Sequence, residues 1–66
     1  MKYTQTSYFK EDADHYTRIA ADWMYTTRAD EIRQSIKRLE TIRGREYVKA
    51  LAAKCNQKLK VKFYAV

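Results

Sequence analysis

Two residue types that often carry catalysis occur once each in this chain of 66 residues. His15 follows Asp14 directly, and a histidine beside a carboxylate is the usual pairing for a general base. No obvious nucleophile accompanies the pair, and adjacency along the chain says little about a tuned pKa. Cys55 shares a helical stripe with Leu51 and Leu59, which favours a small buried hydrophobic residue over a thiol activated by nearby lysines. We therefore expect no enzyme.

The residue spacing gives no support for a metal or phosphate site. One histidine and one cysteine cannot build a zinc site. The carboxylates lack metal-loop spacing, and several have a basic residue three or four positions on, as solvated helix pairs do. With one glycine, Gly44, and no proline, a glycine-rich phosphate loop is excluded, and no Walker, Rossmann, kinase or hydrolase motif occurs. We expect no cofactor, no metal and no small-molecule substrate.

Basic residues carry the strongest indication of binding. Residues 32–66 hold ten Lys or Arg against two acidic residues, a charge of +8, and residues 1–31 hold four against six, a charge of −2, which together give the net +6. Such asymmetry between halves indicates an anionic partner, nucleic acid or an acidic protein surface, for the second half. The alternative interpretation is a solubilising surface, with lysines that protect an edge strand from aggregation.

Tyrosine is the second excess, with six residues in a total of nine aromatics. A domain of this size cannot bury nine aromatic side chains fully, so some tyrosines should be exposed. Exposed Tyr beside Arg is typical of protein interface hot spots and of platforms on which bases stack. The candidate anion-binding or partner-binding residues are Arg38, Arg43, Arg45, Lys49, Lys54, Lys58, Lys60, Lys62, Tyr47 and Tyr64.

The elements that position these residues begin with a predicted strand over residues 2–9, KYTQTSYF, which is rich in Tyr, Thr and Phe although its alternation is poor. Acidic residues then mark a first helix over about 13–26, with Asp12 as its N-cap. The segment TTRADEI resembles a capping box, formed by Thr27 and Asp30, that opens a second helix.

The apolar stripe of the second helix changes direction at Gly44. The stripe that stops there consists of Ile32, Ile36, Leu39 and Ile42. The following stripe, from Tyr47 to Leu59, is centred roughly 150° away around a straight helix. Two alternatives remain open: a break at Gly44 that gives a third helix over about 45–57, or one long helix with two packing faces.

The last nine residues, KLKVKFYAV, alternate with a period of two and predict a C-terminal strand. One face of that strand would carry Leu59, Val61, Phe63 and Ala65. The predicted fold is thus a single α+β domain over residues 1–66, a small helical domain of two or three helices with short N- and C-terminal β-strands in the order β-α-α(-α)-β. Because a two-stranded sheet alone is marginal in water, the strands should pair over the helices or across a dimer axis.

The order of N-terminal strand, helix, Thr-capped turn TTRADEI and second helix resembles the ribbon-helix-helix DNA-binding dimers, whose paired strands enter the major groove. The resemblance implies that base edges would be read by one face of the strand, either Lys2, Thr4 and Thr6 or Gln5 and Ser7. Neither face of residues 2–9 is apolar enough for the buried side of such a ribbon, and that fold needs no C-terminal strand. The resemblance is therefore an analogy in fold order.

These observations lead to one expected function and one alternative. We expect a small non-enzymatic basic binding module, which contacts nucleic acid or a nucleic-acid-associated assembly through its C-terminal half. The alternative is a small protein-binding regulator or inhibitor, of phage or mobile-element type, that blocks a larger host protein. A thin core favours a homodimer. With one cysteine and no apolar stretch suited to a signal peptide or membrane span, we expect a cytoplasmic protein without a membrane partner.

Overall fold

Helices make up most of the chain in the computed structural model, which describes residues 7–65. The three long helices are α1 (Ser7–Trp23), α2 (Ala29–Arg38) and α4 (Arg45–Leu59), and a single turn, α3 (Glu40–Arg43), precedes the last of them. No strand forms anywhere in residues 7–65. The predicted α+β class is therefore wrong for the described part of the chain, which is all helical.

Helix α1 begins six residues earlier than predicted. Phe9 and Ala13 are buried one turn apart, together with Ala20, so the apolar stripe that defines the helix extends back past the acidic cluster. Asp12 consequently lies inside α1 and is not its N-cap. The end of the predicted N-terminal strand, residues 7–9, is helical, and residues 2–6 lie outside the described part of the chain.

The turn between α1 and α2 is held by a different threonine from the one predicted. Thr26 Oγ1 donates to the carbonyl of Trp23 at 2.7 Å and accepts from the backbone N–H of Arg28 at 3.2 Å. Arg28 occupies the N-cap position of α2, without a side-chain cap. The predicted capping box of Thr27 and Asp30 is therefore wrong, because Thr26 bonds the turn before the helix begins.

Gly44 separates α3 from α4 and decides between the two alternatives for this region. Its backbone has φ 95° and ψ 157°, a conformation that is essentially restricted to glycine. The helix is therefore interrupted at Gly44, and α4 begins as a separate helix at Arg45. The predicted stripe ends sooner than expected, because Ile42 in α3 is 74% exposed.

The C-terminal segment contacts α4 through a side chain and not through a strand ladder. Asn56 Oδ1 accepts from the backbone N–H groups of Phe63 at 2.9 Å and Tyr64 at 2.8 Å. Asn56 Nδ2 donates to the carbonyl of Tyr64 at 2.7 Å. The predicted C-terminal strand is wrong because these backbone groups are hydrogen-bonded to the side chain of Asn56 and not to a neighbouring strand. In addition, the consecutive residues Phe63 and Tyr64 are both buried, whereas the side chains of a strand point alternately to its two faces.

The core lies where α1, α2, α4 and the C-terminal segment meet. Helix α1 packs against α4 and α2, and α3 packs against α4. The buried set consists of Phe9, Ala13, Ala20, Ala29, Ile32, Ile36, Tyr47, Val48, Leu51, Ala52, Cys55, Phe63 and Tyr64. The burial of Cys55 confirms its predicted role as a small hydrophobic residue.

Candidate functional site

The two residues considered for catalysis lie in different environments. His15 is exposed on α1, where its ring meets Tyr16 edge-on with 5.1 Å between centroids. Cys55 is buried, with Sγ 3.7 Å from the carbonyl oxygen of Ala13, and burial raises the pKa of its thiol. Among the residues that the structure describes, no three His, Cys, Asp or Glu side chains come together in a group that could hold a metal ion.

Three of the ten basic residues in the second half form ion pairs with acidic residues of the first half. Arg33 Nη1 lies 2.9 Å from Asp30, and Arg33 Nε donates to the carbonyl of Phe63 at 3.0 Å. Lys58 Nζ donates to Asp14 Oδ1, an interaction that holds the pKa of the Asp14 carboxyl below its usual value. The third pair is Arg43 with Asp12. Part of the basic charge therefore holds elements together.

Arg43 is placed for this structural role by its position at the end of α3. Its Nε lies 3.6 Å from Asp12 Oδ2, and its guanidinium carbon lies 4.3 Å from the centre of the Tyr8 ring. Tyr47, from α4, has its ring centre 5.5 Å from the same carbon. A cation over an aromatic face is attracted by the ring quadrupole. Arg43 thus joins α1, α3 and α4, and much of its charge is engaged within the molecule.

Both tyrosines predicted for the binding site lie in the core. Tyr47 is fully buried, its hydroxyl donates to Asp12 Oδ2, and burial together with that hydrogen bond raises its pKa. Tyr64 donates to the carbonyl of Tyr16 at 3.1 Å, and burial likewise raises the pKa of Tyr64. Neither ring has a face open to solvent, so neither is available to stack on a base. The most exposed tyrosine of the described residues is Tyr25, at 89%.

The remaining basic side chains of the second half are all exposed. No carboxylate of the described residues lies within 4.0 Å of any of them. Arg45 and Lys49 lie one turn apart on the same side of α4, while Lys54 lies toward α1. The full set is Lys37, Arg38, Arg45, Lys49, Lys54, Lys60 and Lys62. Six of these seven belong to the predicted binding residues, and the seventh, Lys37, was not among them.

An apolar groove between α1 and α4 is a second candidate site. It is open to solvent and has a volume of about 680 Å³. Its apolar lining, which we call the floor, consists of Phe9, Ala13, Ala50 and Ala53, and its polar lining, which we call the rim, consists of Lys10, Lys54, Gln57 and Lys58. The rim is therefore basic on both helices, and Lys58 also bonds Asp14 across the gap. The alanines at helical spacing in α4 are visible in the sequence, but their approach to α1 depends on tertiary packing, which periodicity alone does not give.

No helix of the described residues is long and apolar enough to cross a membrane. The chain matches no protein-family model, no curated protein and no solved structure.

Proposed function

We propose that this chain is a small non-enzymatic module that binds nucleic acid through its exposed basic residues. The observation that carries the proposal is the set of seven exposed Lys and Arg side chains with no carboxylate of the described residues within 4.0 Å. Phosphate contacts by such side chains release condensed counterions and supply sequence-independent affinity. Binding would be electrostatic, since the two predicted stacking tyrosines are buried.

Salt dependence tests this proposal directly. Binding of DNA and RNA oligonucleotides should weaken steeply as salt rises, with a log–log slope of about −0.9 for each phosphate contacted on duplex DNA. Replacing Lys60 and Lys62 by Gln should make the slope shallower by up to about 2. Both side chains are exposed, so the variant should fold like the parent.

A charge-matched control separates a local effect from loss of net charge. Lys10→Gln with Arg18→Gln removes the same two charges from α1, where both side chains are exposed. The slope should change less in this control than in the Lys60 and Lys62 variant. If neither DNA nor RNA shows salt-sensitive binding to the parent protein, nucleic-acid binding is rejected.

A protein-binding regulator or inhibitor is the second candidate function, and the groove between α1 and α4 favours it. An apolar floor with a basic rim suits an acidic protein surface that carries apolar anchors. Capture of a specific host protein after nuclease treatment of the lysate would support this candidate, and recovery of nothing after that treatment would count against it. In either case we propose a cytoplasmic protein and a homodimer, which sedimentation at several concentrations would test.

A further inference from the structure

The groove between α1 and α4 combines an apolar floor with positive charge on both sides. Ala13 on α1 and Ala50 and Ala53 on α4 are small, so the space of about 680 Å³ above them is open to a ligand. Lys10 stands on the α1 side, and Lys54 and Lys58 stand on the α4 side. Lys58 already pairs with Asp14, so an apolar group alone would leave Lys10 and Lys54 without an ion-pair partner among the described residues. An anion alone would leave the half-buried Ala50 and the exposed Ala53 uncovered.

The α4 side of the groove is long enough for about two turns of a bound helix. The α4 wall runs from Ala50 to Lys58, a rise of about 12 Å or two turns at 1.5 Å per residue. Helices pack with axes about 8–10 Å apart, and small side chains at the contact permit the closest approach. A helix laid in a groove contributes apolar anchors at i, i+3, i+4 and i+7 along one face. Residues that flank those anchors would face the lysines.

The basic residues of the groove indicate which kind of molecule binds there. A second copy of this chain would bring its own net charge of +6 to a basic rim, which electrostatic complementarity disfavours. Nucleic acid would satisfy the lysines, but its sugars and phosphates would leave the accessible Ala50 and Ala53 without apolar contact. We infer that the groove binds an amphipathic helix of a partner protein, with apolar residues on the floor and Glu or Asp against Lys10 and Lys54. This inference rests on the second candidate function, and Lys54 is the one residue that it shares with the nucleic-acid proposal.

A designed peptide pair tests the inference without knowledge of the partner. The probe is an amphipathic peptide of about 15 residues, near the minimum length for an isolated helix, with Leu along one face and Glu on both flanks. The control peptide keeps the Leu positions and replaces every Glu by Lys. We expect the Glu peptide to bind, measured by fluorescence anisotropy, and to shift the backbone amide resonances of Ala13, Ala53 and Gln57. The Lys peptide should not bind.

Variants of the protein locate the binding site. Ala53→Glu places a negative side chain on the exposed face of α4 within the groove, and it should weaken binding of the Glu peptide about tenfold through like-charge repulsion and lost space. Ala21→Glu makes the same change at an exposed position of α1 that does not line the groove, and affinity should be unaltered. Lys54→Gln should weaken binding about two- to fivefold, as expected for one exposed ion pair.

Several results would overturn the inference. The inference is wrong if the Lys peptide binds as tightly as the Glu peptide. It is also wrong if the Glu peptide binds the Ala53→Glu protein as tightly as the parent protein, because the groove is then not its binding site. A dimer in sedimentation that Ala53→Glu dissociates would assign the groove to a second copy. Loss of oligonucleotide binding in Ala53→Glu but not in Ala21→Glu would assign it to nucleic acid. The salt slope of the Lys60 and Lys62 variant depends on none of these outcomes, so failure here leaves the nucleic-acid proposal standing.

Discussion

A single amide side chain fastens the C-terminal segment to α4. Asn56 makes three hydrogen bonds with the backbone of Phe63 and Tyr64, and both of those rings are buried. Arg33 adds a bond from α2 to the carbonyl of Phe63, and its guanidinium carbon lies 4.4 Å from the centre of that ring. The polar backbone of a segment without secondary structure is thereby satisfied next to the core, as burial requires.

Asn56→Ala should destabilise the protein by about 1–3 kcal/mol, because it leaves buried backbone groups without partners. Asn56→Asp keeps the acceptor for both N–H groups, but its second carboxylate oxygen would face the Tyr64 carbonyl in place of the donor. The two acceptors repel, so this variant should recover only part of the stability that Asn56→Ala loses. Urea unfolding measures both free energies. Gln57→Ala, at the exposed neighbouring position, is the control and should change stability by less than about 0.5 kcal/mol. Equal stability of Asn56→Ala and this control would show that the segment is held by its rings alone.

At the scale of the elements, Gly44 sets the direction in which α4 leaves α3. A Cβ at this position would meet no atom within 4 Å, so space does not restrict the residue. The restriction comes from φ 95° with ψ 157°, where an L side chain is strained against its own backbone. The turn to α4 therefore depends on the absence of a side chain.

Gly44→Ala should cost about 1–3 kcal/mol of stability through backbone strain. Gln34→Ala, exposed on α2, is the control and should be close to neutral. Thermal unfolding followed by circular dichroism compares the two variants. An unchanged or higher melting temperature for Gly44→Ala would mean that α3 and α4 can join into one continuous helix, the alternative that the sequence left open.

Helices could be predicted from the sequence where the helical periodicity was strong. The secondary structure could not be predicted where a tertiary contact determines the conformation of the chain. The stripe of Ile32 and Ile36 located α2, and Gly44 marked the point where the chain changes direction. The C-terminal strand, and the described end of the N-terminal strand at residues 7–9, were wrong for physical reasons. Strand-favouring residues near Phe9 are helical because Phe9 packs edge-on against Tyr47, at 5.5 Å between centroids. The alternating pattern of the last residues does not show that Asn56 hydrogen-bonds to the backbone of Phe63 and Tyr64.

The candidate site shows the same division between local pattern and tertiary contact. Charge counting located the basic half and six of the seven exposed basic residues that the structure leaves without a described carboxylate partner. Charge counting could not predict that Arg43 forms an ion pair with Asp12, or Lys58 with Asp14, because the two residues of each pair are more than thirty positions apart in sequence. For the same reason it could not tell that Tyr47 would be buried.

For the molecule as a whole, two buried phenols link stability to alkaline pH. Burial raises the pKa of Tyr47 and Tyr64, so the folded state holds their protons more tightly than the unfolded chain does. Their contribution to stability is fully present below the unfolded pKa of about 10 and falls as pH rises above it. The free energy of unfolding should therefore decline above about pH 10.

Tyr64→Phe removes one of these ionisations, so its stability should fall less steeply than that of the parent over the same alkaline range. Urea unfolding at a series of pH values, with tyrosinate absorbance recorded in parallel, measures the difference. Tyr25→Phe changes a tyrosine that is 89% exposed and serves as the control. Identical pH profiles for the parent and Tyr64→Phe would contradict the link.

The buried thiol of Cys55 has a practical consequence for following motion in this molecule. It is the only cysteine in the chain, its side chain is inaccessible, and only its thiolate form reacts readily with alkylating reagents. Modification requires an opening of the core that exposes the thiol, by movement of α1 or of the C-terminal segment, since both lie against Cys55. The rate of alkylation therefore reports on local opening of the core, at a single natural position and without an introduced label.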